Sequence, residues 1–445
     1  MAAQLLKSFK SILTFNGMIE TIRNIGDTFK DKRSGKNTQY EMRDIVLSAY
    51  SVFYLQCPSF LAYQQAMENE HKNSNARTLF EIEQIPSDNH IRDLLDEEKP
   101  EKLFPVFEAV FDELAETKKL DDFRGGLGDL LFAFDGVEHY NSQNLHCSQC
   151  KVTHHKNGKI SYSHGMVTSV LVKPGCPHVI DLPPEFIVPQ DGHDKQDSEN
   201  AAAKRWLATH AARYCAYGVT MLGDDLYSRQ PVCEAALKAK FHFIFTCKPD
   251  SHKTLYEYVE GLRKTNMLYV VEVSRWTGKR REFDKYSYIH QLPLREGDDA
   301  LQVNWCELVT TDSTGKVLYS NSYVTDHAIN DDNVTKIVED GRARWKTENE
   351  NNNTLKNHGY NLEHNFGHGQ MNLSNLLATL NLLAFLSHTL LAMTSDAYQK
   401  IRRHLGARKK FFEHIRTLTH YILFSSWDAM LDFMMEKLKL TPNTT

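Results

Sequence analysis

Cysteine is scarce in this chain, and neither sign of charge dominates. The 445 residues include 8 cysteines, too few for a disulfide-stabilised scaffold of this length. Lysine and arginine number 52 against 57 aspartates and glutamates, a formal net charge of −5. No overall basic field therefore indicates a nucleic-acid partner, although a local basic face is compatible with that total. Residues 1–10 lack the apolar core and cleavage site of a signal peptide, which predicts a cytoplasmic protein.

Long hydrophobic runs are also lacking, with one exception at residues 371–393. That stretch is long enough to cross a bilayer. It contains Asn372, Asn375, Asn381 and His388, whose transfer into lipid would be costly. We therefore predict that it forms a buried core helix and that the protein has no membrane partner.

The composition and the periodicity of the chain indicate a soluble α/β protein. Hydrophobic residues make up 41% and charged residues 24%, which is ordinary for a globular protein. Up to residue 125, apolar residues recur at helical spacing, as in 40–54 and 103–120. From Leu130 onwards, short strand-like runs alternate with helical patterns, which predicts an α/β fold with a mixed sheet flanked by helices.

These changes of pattern divide the chain into five predicted segments. They are a helical N-terminal region (1–125), the first part of an α/β core (126–266), a β-rich insertion (267–325), the second part of the core (326–395) and a helical C-terminal region (396–445). The insertion is predicted from alternating or β-branched runs with turn residues between them.

Two predicted strands are each followed by acidic residues. Residues 130–134 form an apolar run that ends at Asp135, and residues 218–223 form another that ends at Asp224 and Asp225. Short apolar runs predict buried strands, and a carboxylate at a strand end points out of the sheet edge, where ligands and metals bind. Solvated strand ends are the alternative interpretation.

A third acid lies in a predicted helix between residues 331 and 359. Glu348 and Arg344 are four residues apart, so they share one face of that helix. The run from Glu348 to Asn353 is polar and has no continuous apolar stripe. Packing alone does not account for such a face, and exposure to solvent is the alternative.

Two strand-end aspartates and one helix glutamate form a donor set for two divalent cations. Mg²⁺ prefers oxygen ligands, usually a few carboxylates with water and phosphate oxygens. Two such ions at about 3.5–4 Å promote phosphoryl transfer by activating the attacking oxygen and stabilising the leaving oxygen. The sequence thus predicts Asp135, Asp224 and Glu348 as catalytic metal ligands for two Mg²⁺ or Mn²⁺ ions.

In these segments the chain resembles the DDE transposases of bacterial insertion sequences, and within them the family-four branch. The resemblance rests on Phe134-Asp135-Gly136, on residues 223–227 (GDDLY) and on residues 344–348 (RWKTE). It implies an RNase H-like catalytic domain with a β-rich insertion before the glutamate. The D-x-L-Y register of the branch favours Asp224 over Asp225 as the metal ligand.

The branch signature Y-x2-R-x3-E-x6-K matches Arg344 and Glu348. Gly341 stands at the tyrosine position and Leu355 at the lysine position, with Lys356 one residue later. The resemblance implies that Arg344 and Lys356 contact DNA. It also implies that the helical N-terminal region (1–125) binds DNA ends and that the protein is a homodimer on DNA.

The insertion contains Trp276 beside three basic residues, Lys279, Arg280 and Arg281. Aromatic and basic side chains together stack on bases and bind phosphates, so we predict a second DNA contact there. Packing of the aromatic ring within the β-rich segment is the alternative.

Cys147 and Cys150 have the spacing of a zinc-ligand pair. His154 and His155 follow, closer than usual for the second pair, so a structural Zn²⁺ and unligated loop cysteines both remain open. A later set, His358, His364 and His368, is interpreted as polar packing. Neither group outranks the carboxylates as the predicted functional site.

The function predicted from the sequence is metal-dependent cleavage and strand transfer at the ends of an insertion sequence, on double-stranded DNA. Two alternatives remain. One is a domesticated RNase H-like nuclease that cuts DNA without joining strands. The other is a non-catalytic DNA-binding protein in which the acids are only solvated.

Overall fold

A computed structural model describes residues 10–34, 38, 40–67, 74–189 and 197–441. In these residues helices flank one mixed sheet of parallel and antiparallel strands, which confirms the predicted α/β class. The prediction that the chain lacks a signal peptide rests on residues 1–10, and all of these except residue 10 lie outside the described residues.

The strands and helices have the following bounds. The strands are β1 (Leu130–Ser142), β2 (Lys151–His154), β3 (Ile160–Val172), β4 (Ile180–Asp181), β5 (Glu185–Ile187), β6 (Val219–Gly223), β7 (His242–Thr246), β8 (Tyr269–Trp276), β9 (Arg281–Pro293), β10 (Gln302–Asp312) and β11 (Val317–Thr325). The helices before β1 are α1 (Phe15–Gly26), α2 (Met42–Tyr54), α3 (Phe60–Met67), α4 (Asn75–Phe80), α5 (Asp88–Leu95) and α6 (Phe104–Glu116). Those within and after the sheet are α7 (Glu199–Tyr214), α8 (Gln230–Lys238), α9 (Lys253–Lys264), α10 (Val334–Arg342), a π-helix (Thr347–Asn352), α11 (Asn353–Asn357), α12 (Leu373–Thr394), α13 (Asp396–Leu405), α14 (Arg408–Tyr421) and α15 (Trp427–Lys437).

The strand order of the sheet is β2–β3–β1–β6–β7–β11–β10–β9–β8, with β4 and β5 paired to β3. The β1–β6 and β6–β7 pairs are parallel, and the other pairs are antiparallel. The β-rich segment joins the same sheet, because β11 pairs with β7 through Tyr323 and Thr246. This segment therefore extends the sheet.

Strand β1 is longer than the apolar run predicts. Pairing with β3 continues from Leu131–Val172 as far as Ser142–Tyr162, so Asp135 lies within β1 and the prediction of a strand end there is wrong. The parallel pairing with β6, in contrast, stops at Ala133–Leu222. Asp135 thus follows the end of the parallel part of β1, which keeps it at the edge that the sequence predicted.

Helix α12 contains most of the long apolar stretch at residues 371–393. It is long and apolar enough to cross a bilayer, but 89% of its most apolar window is buried inside the protein. Two of its polar side chains are hydrogen-bonded inside the protein, since Asn381 Nδ2 donates to the Tyr360 carbonyl (2.9 Å) and His388 Nδ1 bonds the Tyr360 hydroxyl (2.6 Å). These contacts are those of a core helix in a soluble protein, as predicted.

Candidate metal-dependent active site

Asp135 and Asp224 occupy equivalent positions on neighbouring strands. The last parallel pair is Ala133 with Leu222, and each aspartate lies two residues further along its own strand. Adjacent strands are about 4.8 Å apart, so this register brings the two acids to the same point of the sheet edge. On the other face of β1, Phe134 packs edge-on against Trp206 of α7, with ring centroids 4.9 Å apart.

A tight turn after β6 positions Asp224. A Cβ atom at Gly223 would lie 2.7 Å from the Tyr227 ring carbon Cγ, so only glycine lets that ring fold back under the turn. Asp224 Oδ1 accepts a hydrogen bond from the Leu226 backbone N–H (2.8 Å). The Asp224 carboxylate is therefore oriented by its own turn.

The neighbouring Asp225 is committed to structural contacts. Its Oδ1 accepts a hydrogen bond from the Lys248 backbone N–H (2.6 Å), and its Oδ2 accepts one from the Ser251 hydroxyl. Both carboxylate oxygens thus hold the loop that follows β7. This geometry supports Asp224 as the metal ligand.

Glu348 lies in the π-helix that interrupts the predicted helix. The predicted helix start agrees with the start of α10, which Asn333 precedes. The predicted stop agrees with Gly359, whose φ of +101° does not continue a helix. Between them, the chain turns at Ala343–Arg344 and then forms a π-helix of six residues. Such π-helical turns within helices are frequently found at functional sites.

The predicted pairing of Arg344 with Glu348 is present. Arg344 Nη1 donates to Glu348 Oε1 at 2.7 Å, and the guanidinium lies over the Trp345 ring. Arg344 is buried, whereas Glu348 is partly exposed. A buried guanidinium needs a negative partner, so Arg344 holds the glutamate in place.

Two further residues of the site were missed by the sequence analysis. Asn352, at the end of the π-helix, donates to Asp135 Oδ2 (2.8 Å). Glu199 is the first residue of α7, which Ser198 caps, and its Oε1 accepts a hydrogen bond from the Gly136 N–H (3.1 Å). The polar run of the π-helix was a signal for Asn352, but Glu199 had none, because it lies 63 residues from Gly136 along the chain.

The acids affect one another electrostatically. Burial is the largest cause that raises the pKa of Asp135 to about 7, followed by the negative charge of Glu199, while Arg344 opposes the change. The charges of Glu348 and Asp224 raise the Asp135 pKa further. Burial also raises the pKa of Glu199, and the charge of Asp224 contributes. Glu199, Glu348 and Asp224 are therefore close enough to Asp135 for their negative charges to raise its pKa.

We expect Mg²⁺ affinity to rise with pH up to about pH 7, by about tenfold per pH unit, since Asp135 must release a proton to bind a cation. In the absence of metal, the contribution of Asp135 to the stability of the folded state changes with pH in the opposite direction. The folded state binds more protons than the unfolded state between the ordinary aspartate pKa of 3.8 and about 7, so this group's contribution to stability falls as pH rises through that interval. Calorimetric Mg²⁺ titrations and urea unfolding across pH measure both effects.

Glu199→Gln removes the largest charge effect on Asp135 and should move the pH dependence of Mg²⁺ binding to lower pH. Glu138→Gln is the matched control, because Glu138 is an exposed acid on the same strand whose partner is Asn141. An unchanged pH dependence in Glu199→Gln would contradict the proposed coupling.

The predicted DNA contacts are not all near the acids. Arg344 and Lys356 are in this region, and Lys356 Nζ pairs with Glu363 at 2.6 Å. Trp276 is 66% exposed, so the alternative that it packs within the β-rich segment is wrong. Arg281 begins β9, which is four strand spacings from β6 in the sheet. This predicted DNA contact is therefore about 19 Å from the strand that precedes Asp224.

The basic residues of the insertion are exposed at the turn between β8 and β9. Lys279 and Arg281 face solvent there, and Arg280 pairs with Glu282 at 2.9 Å. With Trp276, they form a surface separate from the acids.

A basic cavity lies against the π-helix. It has a volume of about 440 Å³, and its lining includes Arg402, Arg403, Arg408, Asn349 and Glu350. The arginines belong to residues 402–410, a dense basic run in the sequence. Arg408 donates to the Tyr360 hydroxyl (2.7 Å), and the Arg402 guanidinium lies over the Phe411 ring.

The histidines that lie beside Cys147 and Cys150 are not the ones that follow them in the sequence. Cys147 and Cys150 lie with His164 and His368, and all four ligand atoms are within 4.8 Å of one another. The expected ligands His154 and His155 are exposed, and His155 bonds Ser161 instead. His368, which the sequence analysis interpreted as polar packing, also lies in this cluster, because the fold brings it to Cys150 from 218 residues away.

In the residues that the structure describes, one other group is equally close, namely Asp129, His242 and His327. The carboxylates of Asp135, Asp224 and Glu348 are more widely spaced than that limit. Mg²⁺ usually keeps several waters and takes only one or two carboxylates with phosphate oxygens, so two such ions do not require all three carboxylates to meet at one point.

Comparisons with known proteins give no family for the chain. No protein-family model matches it, and no curated protein matches it significantly.

Proposed function

We propose that this protein is a DNA transposase of the DDE type, which cleaves phosphodiesters at the ends of an insertion sequence and joins them to target DNA. Asp135, Asp224 and Glu348 are its catalytic residues. The observation that carries the proposal is the convergence of these acids from β1, the β6 turn and the π-helix. Their residue types are those that two-ion phosphoryl transfer requires.

The sheet supports an RNase H-like fold for the catalytic core. Its strands β2–β3–β1–β6–β7 combine three antiparallel strands, in which β3 pairs with both β1 and β2, with two strands, β6 and β7, that run parallel to β1 and follow through helices. Asp135 lies on the first, and Asp224 directly follows the fourth, of the five core strands when β1, β2, β3, β6 and β7 are counted in chain order. A β-rich segment separates them from Glu348, as the transposase resemblance implies.

The π-helix accounts for the late lysine in the family signature. An i→i+5 turn takes one residue more than an α-helical turn, so it restores Lys356, one residue late, to the face on which Glu348 lies. Gly341, at the tyrosine position, packs closely, because a Cβ atom there would lie 2.9 Å from both Ile244 and Tyr323. The two departures from the signature are thus compatible with a transposase site.

The residues present fit Mg²⁺ or Mn²⁺. All three predicted ligands offer carboxylate oxygens, the donors that these hard cations prefer, and the raised pKa of Asp135 marks a position short of positive charge. When bound, two such ions lower the pKa of the attacking hydroxyl group and stabilise the leaving oxygen.

Two side chains of this protein hold the catalytic carboxylates in position. Asn352 fixes the Asp135 carboxylate by its hydrogen bond, and Arg344 fixes Glu348. In the first step water attacks the phosphorus and the 3′-oxygen leaves. In the second, the freed 3′-hydroxyl attacks a target phosphodiester, loses its proton, and displaces the target 3′-oxygen. Arg344 adds positive charge near the phosphate as negative charge develops on its oxygens.

We propose that double-stranded DNA crosses both the acidic site and the Trp276 surface, with the protein acting as a homodimer. Lys356 and the basic insertion residues Lys279, Arg280 and Arg281 would bind phosphates, whose contacts weaken with salt. Trp276 is available for stacking because its ring is exposed.

The test is an assay with DNA carrying the ends of the encoding element, a supercoiled target plasmid, and Mg²⁺ or Mn²⁺. Metal-dependent nicking followed by joined products is the expected result. Nicking without joining would instead indicate a nuclease of the same fold. Binding without nicking in either metal would indicate a non-catalytic DNA-binding protein.

A further inference from the structure

The cluster of Cys147, Cys150, His164 and His368 has the dimensions of a tetrahedral metal site. The two sulfurs are 3.9 Å apart, and the two Nε2 atoms are 3.2 Å apart. The His164 Nε2 atom lies 3.5 Å from Cys147 Sγ and 3.3 Å from Cys150 Sγ, and His368 Nε2 lies 3.4 Å from Cys150 Sγ.

These separations match zinc. With Zn–S about 2.3 Å and Zn–N about 2.0–2.1 Å, the edges of a tetrahedron are about 3.8 Å between sulfurs, about 3.5 Å between sulfur and nitrogen and about 3.3 Å between nitrogens. Direct packing of neutral side chains does not require four ligand atoms to point at one centre. The sulfurs are also too far apart for a disulfide, which needs about 2.05 Å.

The surroundings of the cluster favour metal ligation. His368 Nδ1 donates to the Gly369 carbonyl (2.8 Å), and this bond leaves the Nε2 lone pair directed at the cluster, as in most zinc-bound histidines. Cys150 and His164 are buried. The protein supplies all four ligands, which is the closed arrangement of a structural zinc site.

We propose that Cys147, Cys150, His164 and His368 bind one structural Zn²⁺ ion, which anchors the chain after the catalytic glutamate to the sheet. The cysteines lie in the loop between β1 and β2, His164 lies on β3, and His368 belongs to the irregular segment between α11 and α12. That segment follows the π-helix and α11 in the chain, so the ion joins the two halves of the core.

A second anchor acts at the end of the same segment. The Asp96 carboxylate accepts hydrogen bonds from the backbone N–H groups of Gln370, Met371, Asn372 and Leu373, at 2.8–3.1 Å. The segment therefore has one fixed end without the metal. Loss of zinc is expected to loosen the part nearer the π-helix.

The test is the zinc content of the full-length protein, purified without chelators and measured by plasma mass spectrometry. We expect about one zinc per chain, and the visible and thiolate charge-transfer bands of tetrahedral Co²⁺ after exchange. Chelation should lower the thermal midpoint and increase hydrogen exchange in residues 358–372. The measurement uses no DNA, so it is independent of the proposed transposase activity.

His368→Gln and Cys147→Ser should each lose the zinc, whereas two controls should retain it. His364→Gln tests an exposed histidine four residues from His368, and His155→Gln tests the ligand expected from sequence spacing. If a ligand variant does not fold, the Co²⁺ spectrum of the wild-type protein shows whether the site binds a metal ion with tetrahedral geometry. A wild-type protein without zinc and without a tetrahedral Co²⁺ spectrum, or zinc retained in His368→Gln, would overturn the proposal.

Discussion

Glu348→Gln is expected to reduce metal-dependent nicking and joining by about 10³-fold or more, a loss of about 4 kcal/mol of transition-state stabilisation. Glutamine has the same shape, and its Oε1 can still accept the hydrogen bond from Arg344 that the glutamate accepts at 2.7 Å. The substitution removes the negative charge that binds the cations, and it also removes the negative partner of the buried Arg344 guanidinium. Loss of that partner is destabilising, so the thermal midpoint should fall, while DNA binding without cleavage should persist.

Glu350→Gln is the matched control for this experiment. Glu350 lies in the same π-helix, but it pairs with Lys346 at 3.0 Å and lines the basic cavity. Rates measured with Mg²⁺ and with Mn²⁺ should be close to wild type in this variant. Equal losses in the two variants would indicate damage to the helix, and full activity in Glu348→Gln would remove this glutamate from the site.

The sequence predicted the segments of the site better than their detailed geometry. The edges at Asp135 and Asp224 follow from apolar runs, and the pairing of Arg344 with Glu348 follows from their spacing. The length of β1 did not follow, because pairing with β3 carries the strand past its apolar run to Ser142. The π-helix did not follow either, since its polar residues are held by contacts with other segments.

Contacts between distant segments explain the remaining differences. Glu199 reaches Gly136 because Ser198 begins α7 at that point. His368 reaches Cys150 only when the chain after the π-helix returns to the sheet. In the sequence His154 and His155 follow the cysteines closely and left a zinc site open, whereas the imidazoles that complete the cluster come from β3 and from a segment more than 200 residues away.

Asp224→Asn and Asp225→Asn should have opposite consequences, although the two residues are adjacent. Asp224→Asn should reduce cleavage by about 10³-fold or more through loss of a metal-binding charge. Asparagine can still accept the Leu226 N–H bond through Oδ1, so the turn should remain folded. Removing one of the acids that raise the Asp135 pKa should also leave stability unchanged or slightly increased.

Asp225→Asn should lower stability by about 1–3 kcal/mol and retain most of the activity. Its carboxylate accepts hydrogen bonds from both the Lys248 N–H and the Ser251 hydroxyl. Hydrogen bonds to a charged acceptor contribute about 1.5–3 kcal/mol each, and the asparagine amide is neutral and has only one acceptor oxygen. Urea unfolding measures the first effect, and the rate of metal-dependent nicking measures the second. If Asp225→Asn abolished nicking while Asp224→Asn remained active, the metal ligand would be Asp225. The turn would then have to open at Lys248 and Ser251 before an ion could bind.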